Sequence, residues 1–111
     1  MKRNLDLLIK FVELEYRFHP ILPAPCNIMY FVYVLKSLKD GNMYIGFTKD
    51  LEERINRHNK GLVNSTKNRV PFELIYYEAS RNKYDAIHRE KYLKTSYGHR
   101  YLKNRLKNDT Q

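Results

Sequence analysis

Five side chains in this sequence have the types and spacing to work on a phosphate ester: Tyr33, Tyr44, Arg54, His58 and Glu90. Tyr33 and Tyr44 sit in two short β-branched and aromatic runs, "YFVYVLK" over 30–36 and "MYIGF" over 43–47. The intervening "KDGN" is a strong hairpin signal. Any hairpin loop of even length puts Tyr33, Leu35 and Ser37 on one sheet face with Tyr44, because strand side chains alternate. A two-residue loop at Asp40 and Gly41 would set Ser37 opposite Tyr44. Two phenols on a face also read as plain aromatic packing with a polar tip in water.

The next segment carries the cation and the imidazole. Leu51, Arg54, Ile55 and His58 fall at i, i+3, i+4 and i+7, one stripe of a helix. Leu51 and Ile55 seek the sheet and bring Arg54 and His58 with them. Glu52, Glu53 and Arg57 lie on the solvated side. Arginine can also snorkel out of such a stripe. A second helical stripe, Ala86, Ile87, Glu90 and Leu93, contains a carboxylate, which is costly to bury unless it is paired or holds a cation. Two readings stay open for Glu90: an ion pair with Arg54, or a ligand to a hard cation such as Mg²⁺, which is often held by one or two carboxylates plus water and phosphate.

Brought together, this set suits phosphodiester hydrolysis. A cation on Glu90 would polarise the phosphate. Arg54 would balance charge in the transition state. A tyrosine would accept the proton of the attacking water, which requires its pKa of about 10 to be lowered by nearby positive charge. The chain has no phosphate-cradling glycine loop, no second nearby acid and no Cys-His pair in a useful context.

The elements that must position these groups follow in order. After the hairpin, Asp50 and Glu53 have the spacing of a capping box, opening a helix that runs to about Asn59 and stops near Gly61. The polar loop "NKGLVNSTKNRVP" leads to a third strand, "FELIYYEA". A helix over 83–95 follows, and after Tyr97-Gly98 a shorter basic helix, "RYLKNRLK". The expected fold is therefore α/β of the α+β type, order β-β-α-β-α-α, with a small, mostly antiparallel three-stranded sheet flanked by helices. Upstream, residues 3–18 mix helical and alternating periodicity and are read as a helix. "HPILPAPC" then reads as a linker. Residues 1–28 are accordingly taken as an extension or a segment upstream of the true start, and 29–111 as the domain.

At these residues the chain resembles the GIY-YIG nuclease superfamily, and within it the small stand-alone proteins similar to the nuclease domain of the bacterial excision-repair incision subunit. The two signature triplets read here "FVY" and "YIG". "DLEERINRH" is similar to the family's arginine helix, "AIHREKYLK" to its glutamate helix, and "STKNRVPFELIYYE" to its linking segment. The resemblance spans 29 to about 105. It implies Tyr33 as general base, Tyr44 as the second tyrosine, Arg54 as the phosphate contact, His58 as the site histidine and Glu90 as ligand to one divalent metal, Mg²⁺ or Mn²⁺. Gly46 matches the closing glycine of the second triplet, where close approach is needed. Asn104 is a candidate for an asparagine found late in some members. Family members usually carry a separate DNA-recognition domain; here a partner protein that supplies DNA targeting is expected instead.

Bulk composition agrees. The net charge of +9 across 111 residues points to a polyanion, nucleic acid before an anionic membrane surface. Between Arg81 and Lys107 there are nine lysines and arginines against two acids, interleaved with Tyr84, Tyr92, Tyr97 and Tyr101. That pattern suits backbone contact plus base stacking on frayed or single-stranded DNA, or else tyrosines packed between helices. Cys26 is the one cysteine, so no disulfide framework arises and a reducing cytoplasm is the expected compartment. Asp6, Lys10, Glu13 and Glu15 interrupt the first apolar run, so neither a signal peptide nor a span of about 20 apolar residues is present. The leading expectation is a metal-dependent endonuclease that selects DNA by structure, linked to repair or recombination. A non-catalytic nucleic-acid-binding module of the same fold is the alternative, and RNA is the weaker choice of polymer.

Overall fold

Strand β1 (Tyr30–Ser37) is the middle of the sheet, and its alternation divides the domain into two layers. Val32 and Val34 face one side, Tyr33 and Leu35 the other, and all four are buried. The computed structural model describes residues 28–109. The helix expected over 3–18 and the proline-rich linker lie outside the described residues. β2 (Met43–Thr48) and β3 (Phe72–Ser80) flank β1, both antiparallel to it, in the order β2-β1-β3. The order β-β-α-β-α-α and the antiparallel three-stranded sheet are as the sequence predicts.

The hairpin register differs from the two-residue expectation. Tyr44 stands opposite Leu35, and Gly46 opposite Tyr33. Ser37 pairs with Asn42 and accepts the Gly41 N–H, so residues 38–41 form the loop. The Ser37 hydroxyl accepts the N–H groups of Lys39 and Asp40, and Asp40 accepts that of Asn42. Gly41 takes φ 75°, which a glycine adopts without a Cβ penalty. The longer loop is still even, so Tyr33 and Tyr44 share a face.

β3 carries a bulge: Val34 pairs with Tyr76 and Leu35 with Leu74, leaving Ile75 extra. Ile75 and Tyr76 therefore both face the layer of Val32 and Val34, while Leu74 and Tyr77 face that of Tyr33.

Helix α1 (Leu51–Asn59) covers the Tyr33 face. The Asp50 carboxylate accepts the Glu53 N–H at 3.2 Å, a cap worth about 1 kcal/mol. Glu53 itself turns outward to Arg57 at 3.9 Å, an exposed pair of little weight. Leu51 and Ile55 pack with Leu35 and Phe72. Helices α2 (Lys83–Leu93) and α3 (Ser96–Arg105) cover the opposite face, burying Ala86, Leu93 and Leu102 against Val32, Val34 and Ile45. Leu93 and Leu102, both fully buried, contribute about 2 kcal/mol each. Among the described residues no helix is long and apolar enough to cross a membrane.

The boundary between α2 and α3 corrects the sequence reading, which carried α2 to Thr95 and began α3 beyond Gly98. Thr95 is instead the N-cap of α3, accepting the Gly98 N–H at 3.2 Å. Gly98 lies inside the first turn and is buried. A Cβ there would run into the Tyr92 carbonyl oxygen and the Leu93 Cα. The glycine is a contact between helices, which sequence alone does not reveal. Gly98→Ala is expected to cost about 1–3 kcal/mol, as overpacking does, and to lower the urea midpoint at unchanged slope. An unaltered midpoint would disprove the contact.

Candidate active site

Tyr33 is fully buried at the centre of the sheet, yet it carries a hydroxyl that must find partners. Space for the ring comes from Gly46 directly across the ladder, where a Cβ would collide with the Tyr33 hydroxyl oxygen. Partners come from α1. The Tyr33 oxygen lies 2.8 Å from His58 Nε2 and accepts a longer bond from Arg54 Nε at 3.4 Å. Arg54 and His58 are one helical turn apart, so a single face of α1 serves both contacts.

His58 is fully buried. Its ring meets the edges of Tyr44, Tyr33 and Phe72 at centroid distances of 5.0, 5.7 and 5.8 Å. Its other nitrogen, Nδ1, lies 2.8 Å from Thr66 Oγ1. Tyr44, half-buried, sits beside Tyr33 with ring centroids 6.4 Å apart. No described residue hydrogen-bonds the Tyr44 hydroxyl, and no buried side-chain nitrogen or oxygen among the described residues lacks a partner. The Tyr44 hydroxyl is thus an open polar group beside Tyr33 among the described residues.

Burial dominates the electrostatics. It pushes the His58 pKa down to about 4, with the Arg54 charge adding to the effect, so His58 is neutral at pH 7. It also raises the Tyr33 pKa. The Arg54 hydrogen bond pulls the other way but is outweighed, and Tyr44 and Glu90 add to the rise. This departs from the expectation of a tyrosine made more acidic by positive charge. The phenol is neutral, and any base function must pass its own proton onward.

Glu90 stands apart from this cluster. It projects from α2 with its side chain 19% exposed and forms an ion pair with Lys94 at 3.7 Å. The pairing of Glu90 with Arg54 that the sequence left open is not made, since Arg54 turns to Tyr33. What joins Glu90 to the rest is its field on the Tyr33 phenol. Asn104 is exposed on α3. Thr66 is the residue the sequence reading missed. It lies in a loop without periodicity, eight positions after His58, and only the folded loop brings them together.

Residues 29–107 match the family model of the GIY-YIG catalytic domain. The chain belongs to the GIY-YIG family. It is 45% identical over 67 residues to a UPF0213 protein of Clostridium perfringens, covering 60% of this chain and 71% of that one. A UPF0213 protein of Staphylococcus saprophyticus is 42% identical over 67 residues, covering 60% and 80%. No solved structure matches the chain. A GIY-YIG domain is that of a nuclease superfamily, and nucleic acid is the substrate class it implies.

GIY-YIG nucleases generally use a divalent metal, and the donor set here fits a hard cation. No group of three or more His, Cys, Asp or Glu side chains with metal-site spacing occurs among the described residues. Glu90 offers one accessible carboxylate whose lysine partner is loosely held. One carboxylate completed by water and phosphate oxygens is the way Mg²⁺ is often bound.

The His58 shift sets a pH dependence. The folded pKa, about 4, lies below the unfolded value of 6.5. Below pH 6.5 the unfolded chain therefore binds the proton more readily, and stability is lost as pH falls from 6.5 towards 4. The loss between pH 7 and pH 5 is expected to be about 1–2 kcal/mol after allowance for solvent screening. Urea titrations should show this drop in the native protein and a smaller one in His58→Gln. Equal drops in both would place the titration elsewhere.

Proposed function

We propose that this protein is a metal-dependent endonuclease that hydrolyses DNA phosphodiester bonds, selects its substrate by DNA structure and acts in repair or recombination. The observation that carries the reading is the Tyr33 hydroxyl, buried between a neutral imidazole and a guanidinium. A fold gains nothing in stability from that arrangement over a phenylalanine packed on leucine, whereas proton transfer requires it.

In this mechanism substrate binding admits the attacking water to the buried Tyr33 oxygen, and the water gives its proton to that oxygen as its own oxygen bonds to phosphorus. The Tyr33 proton passes to His58 Nε2. The bond from phosphorus to the leaving oxygen breaks, and that oxygen takes a proton from solvent. An imidazolium is disfavoured beside Arg54 in the resting site, so the proton resides on His58 only while phosphate charge develops. Arg54 faces that charge, and the open Tyr44 hydroxyl orients water or a phosphate oxygen. A divalent ion held by Glu90 would supply Lewis-acid stabilisation of the phosphate and the leaving oxygen.

The outer face of α2 and α3 supports DNA as the substrate and structure as the selector. Tyr84 and Tyr97 are 75% and 65% exposed, and the Arg100 guanidinium lies over the Tyr97 ring at 5.1 Å. Tyr92 and Tyr101 are more engaged, with Arg89 over both rings while it also pairs with Glu78. Of the four tyrosines, Tyr84 and Tyr97 are therefore the most exposed rings on a cationic face, suited to unpaired bases.

Two measurements test the reading. Purified protein with branched, flapped and duplex DNA should cleave with Mg²⁺ or Mn²⁺ and not with EDTA. Glu90→Ala should abolish cleavage but retain binding, and Tyr33→Phe should lower kcat by roughly 10²- to 10⁴-fold. Tight binding without cleavage under any metal would favour the non-catalytic binding module. Separately, Tyr84→Ala with Tyr97→Ala should weaken binding to flapped DNA by about 1–3 kcal/mol per stacked base and leave binding to blunt duplex nearly unchanged. Equal weakening on both DNAs, or tighter binding to matched RNA at equal salt, would refute the assignment of this face to unpaired DNA.

A further inference from the structure

A neutral imidazole has one N–H and one bare nitrogen, and the proton transfer above needs the bare one towards Tyr33. The donors and acceptors around the ring decide which it is. The Tyr33 oxygen has two hydrogen-bond neighbours among the described residues, Arg54 and His58. A guanidinium only donates, so the Tyr33 proton has a single acceptor in reach, His58 Nε2. The hydrogen of the ring then sits on Nδ1 and is donated to Thr66 Oγ1. The Thr66 hydroxyl points on to the Val63 carbonyl at 3.5 Å, a long contact within its own turn. The opposite tautomer would strand the Tyr33 proton in a site whose buried side-chain polar atoms are all partnered.

The loop that carries Thr66 is built to hold it there. Residues 60–71 have no regular structure beyond a 3₁₀ turn at Lys67–Arg69, yet they are fastened at both ends and in between. The Asn59 side chain both donates to and accepts from the Phe72 backbone, at 3.1 and 2.7 Å. The Ser37 hydroxyl donates to the Arg69 carbonyl at 2.6 Å, and Arg69 Nε donates to Asp40 at 2.6 Å. The Leu38 N–H and the Lys39 ammonium donate to the carbonyls of Pro71 and Asn68. Within this frame Val63 and Thr66 turn inward and are buried, while Ser65 and Lys67 are exposed. A loop of this length with so many tethers is expected where it serves a site.

We infer that Thr66 is a positioning residue, whose hydroxyl holds His58 as the Nδ1–H tautomer so that Nε2 faces the Tyr33 hydroxyl as an acceptor. Its consequence for rate rests on the nuclease reading above; the tautomer itself does not.

Nitrogen-15 NMR of the histidine side chains in the full-length protein tests the two parts separately. In the native protein His58 is expected as the Nδ1–H form, and Thr66→Ser should preserve it. Thr66→Val keeps the shape and removes the acceptor, and should shift His58 towards the Nε2–H form or a mixture. On a cleaved DNA substrate, Thr66→Val should lower kcat by on the order of 10²-fold with KM little changed, and Thr66→Ser should restore most of it. An Nε2–H signal in the native protein overturns the inference, as does an unshifted tautomer or an unchanged kcat in a folded Thr66→Val. Should that variant fail to fold, the native spectrum and Thr66→Ser still decide the tautomer. Absence of cleavage in the native protein would sink the nuclease reading and leave the tautomer to stand or fall on the spectra.

Discussion

The hydrogen bond between the Tyr33 hydroxyl and His58 Nε2 is the constraint around which the α1 side of this domain is arranged. A hydroxyl buried in mid-sheet costs several kcal/mol unless it is paired, so the fold must bring a partner to it. Three features of the sequence answer that need. Gly46 omits a Cβ opposite the ring. Helix α1 breaks its own apolar stripe with Arg54 and His58. The loop after α1 folds back far enough to partner the second nitrogen of His58 through Thr66. Leu51, Ile55 and Phe72 pack in the same cluster as the Tyr33 ring.

Burial then decides the chemistry more than charge does. Arg54 alone would make the Tyr33 phenol more acidic, but loss of water around the ring has the larger effect and the opposite sign. The same loss of water keeps His58 neutral. A tyrosinate standing ready as a base is therefore excluded in the resting site, and what remains is a hydroxyl that can accept one proton only by releasing another. Such a group depends on its acceptor being correctly prepared. The loop over 60–71, unremarkable in composition, is consequently tied to the hairpin by Ser37, Asp40 and Arg69.

The parts of this design that rest on periodicity were legible in the sequence. Period two placed Tyr33 and Tyr44 on one face even though the loop length was misjudged, because only the parity of the loop matters. Period 3.6 placed Arg54 and His58 on the buried stripe of α1. Three features were not legible, and for a common reason. The four-residue hairpin loop depends on the Ser37 hydroxyl, the role of Gly98 on the proximity of Tyr92 and Leu93, and the contact of Thr66 on a loop closing over His58. Each is a contact across the fold with no repeating spacing to announce it. The sign of the Tyr33 shift was hidden as well, since sequence displays the neighbouring charges but not the depth of burial.

Glu90 poses the remaining physical question, because it belongs to the other layer. Helix α2 packs on the Val32 and Val34 face of the sheet, whereas Tyr33 and His58 belong to the α1 face. Among the described residues β2, the short outer strand that carries Tyr44, pairs on one side alone, and under the proposed function one phosphate would be shared by the two layers past that edge. A thin, three-stranded sheet permits this; a wider sheet would separate the two layers. The narrow sheet is therefore compatible with the proposed chemistry, in which the proton is handled beneath α1 and a cation would sit at the half-buried Glu90 carboxylate of the other layer.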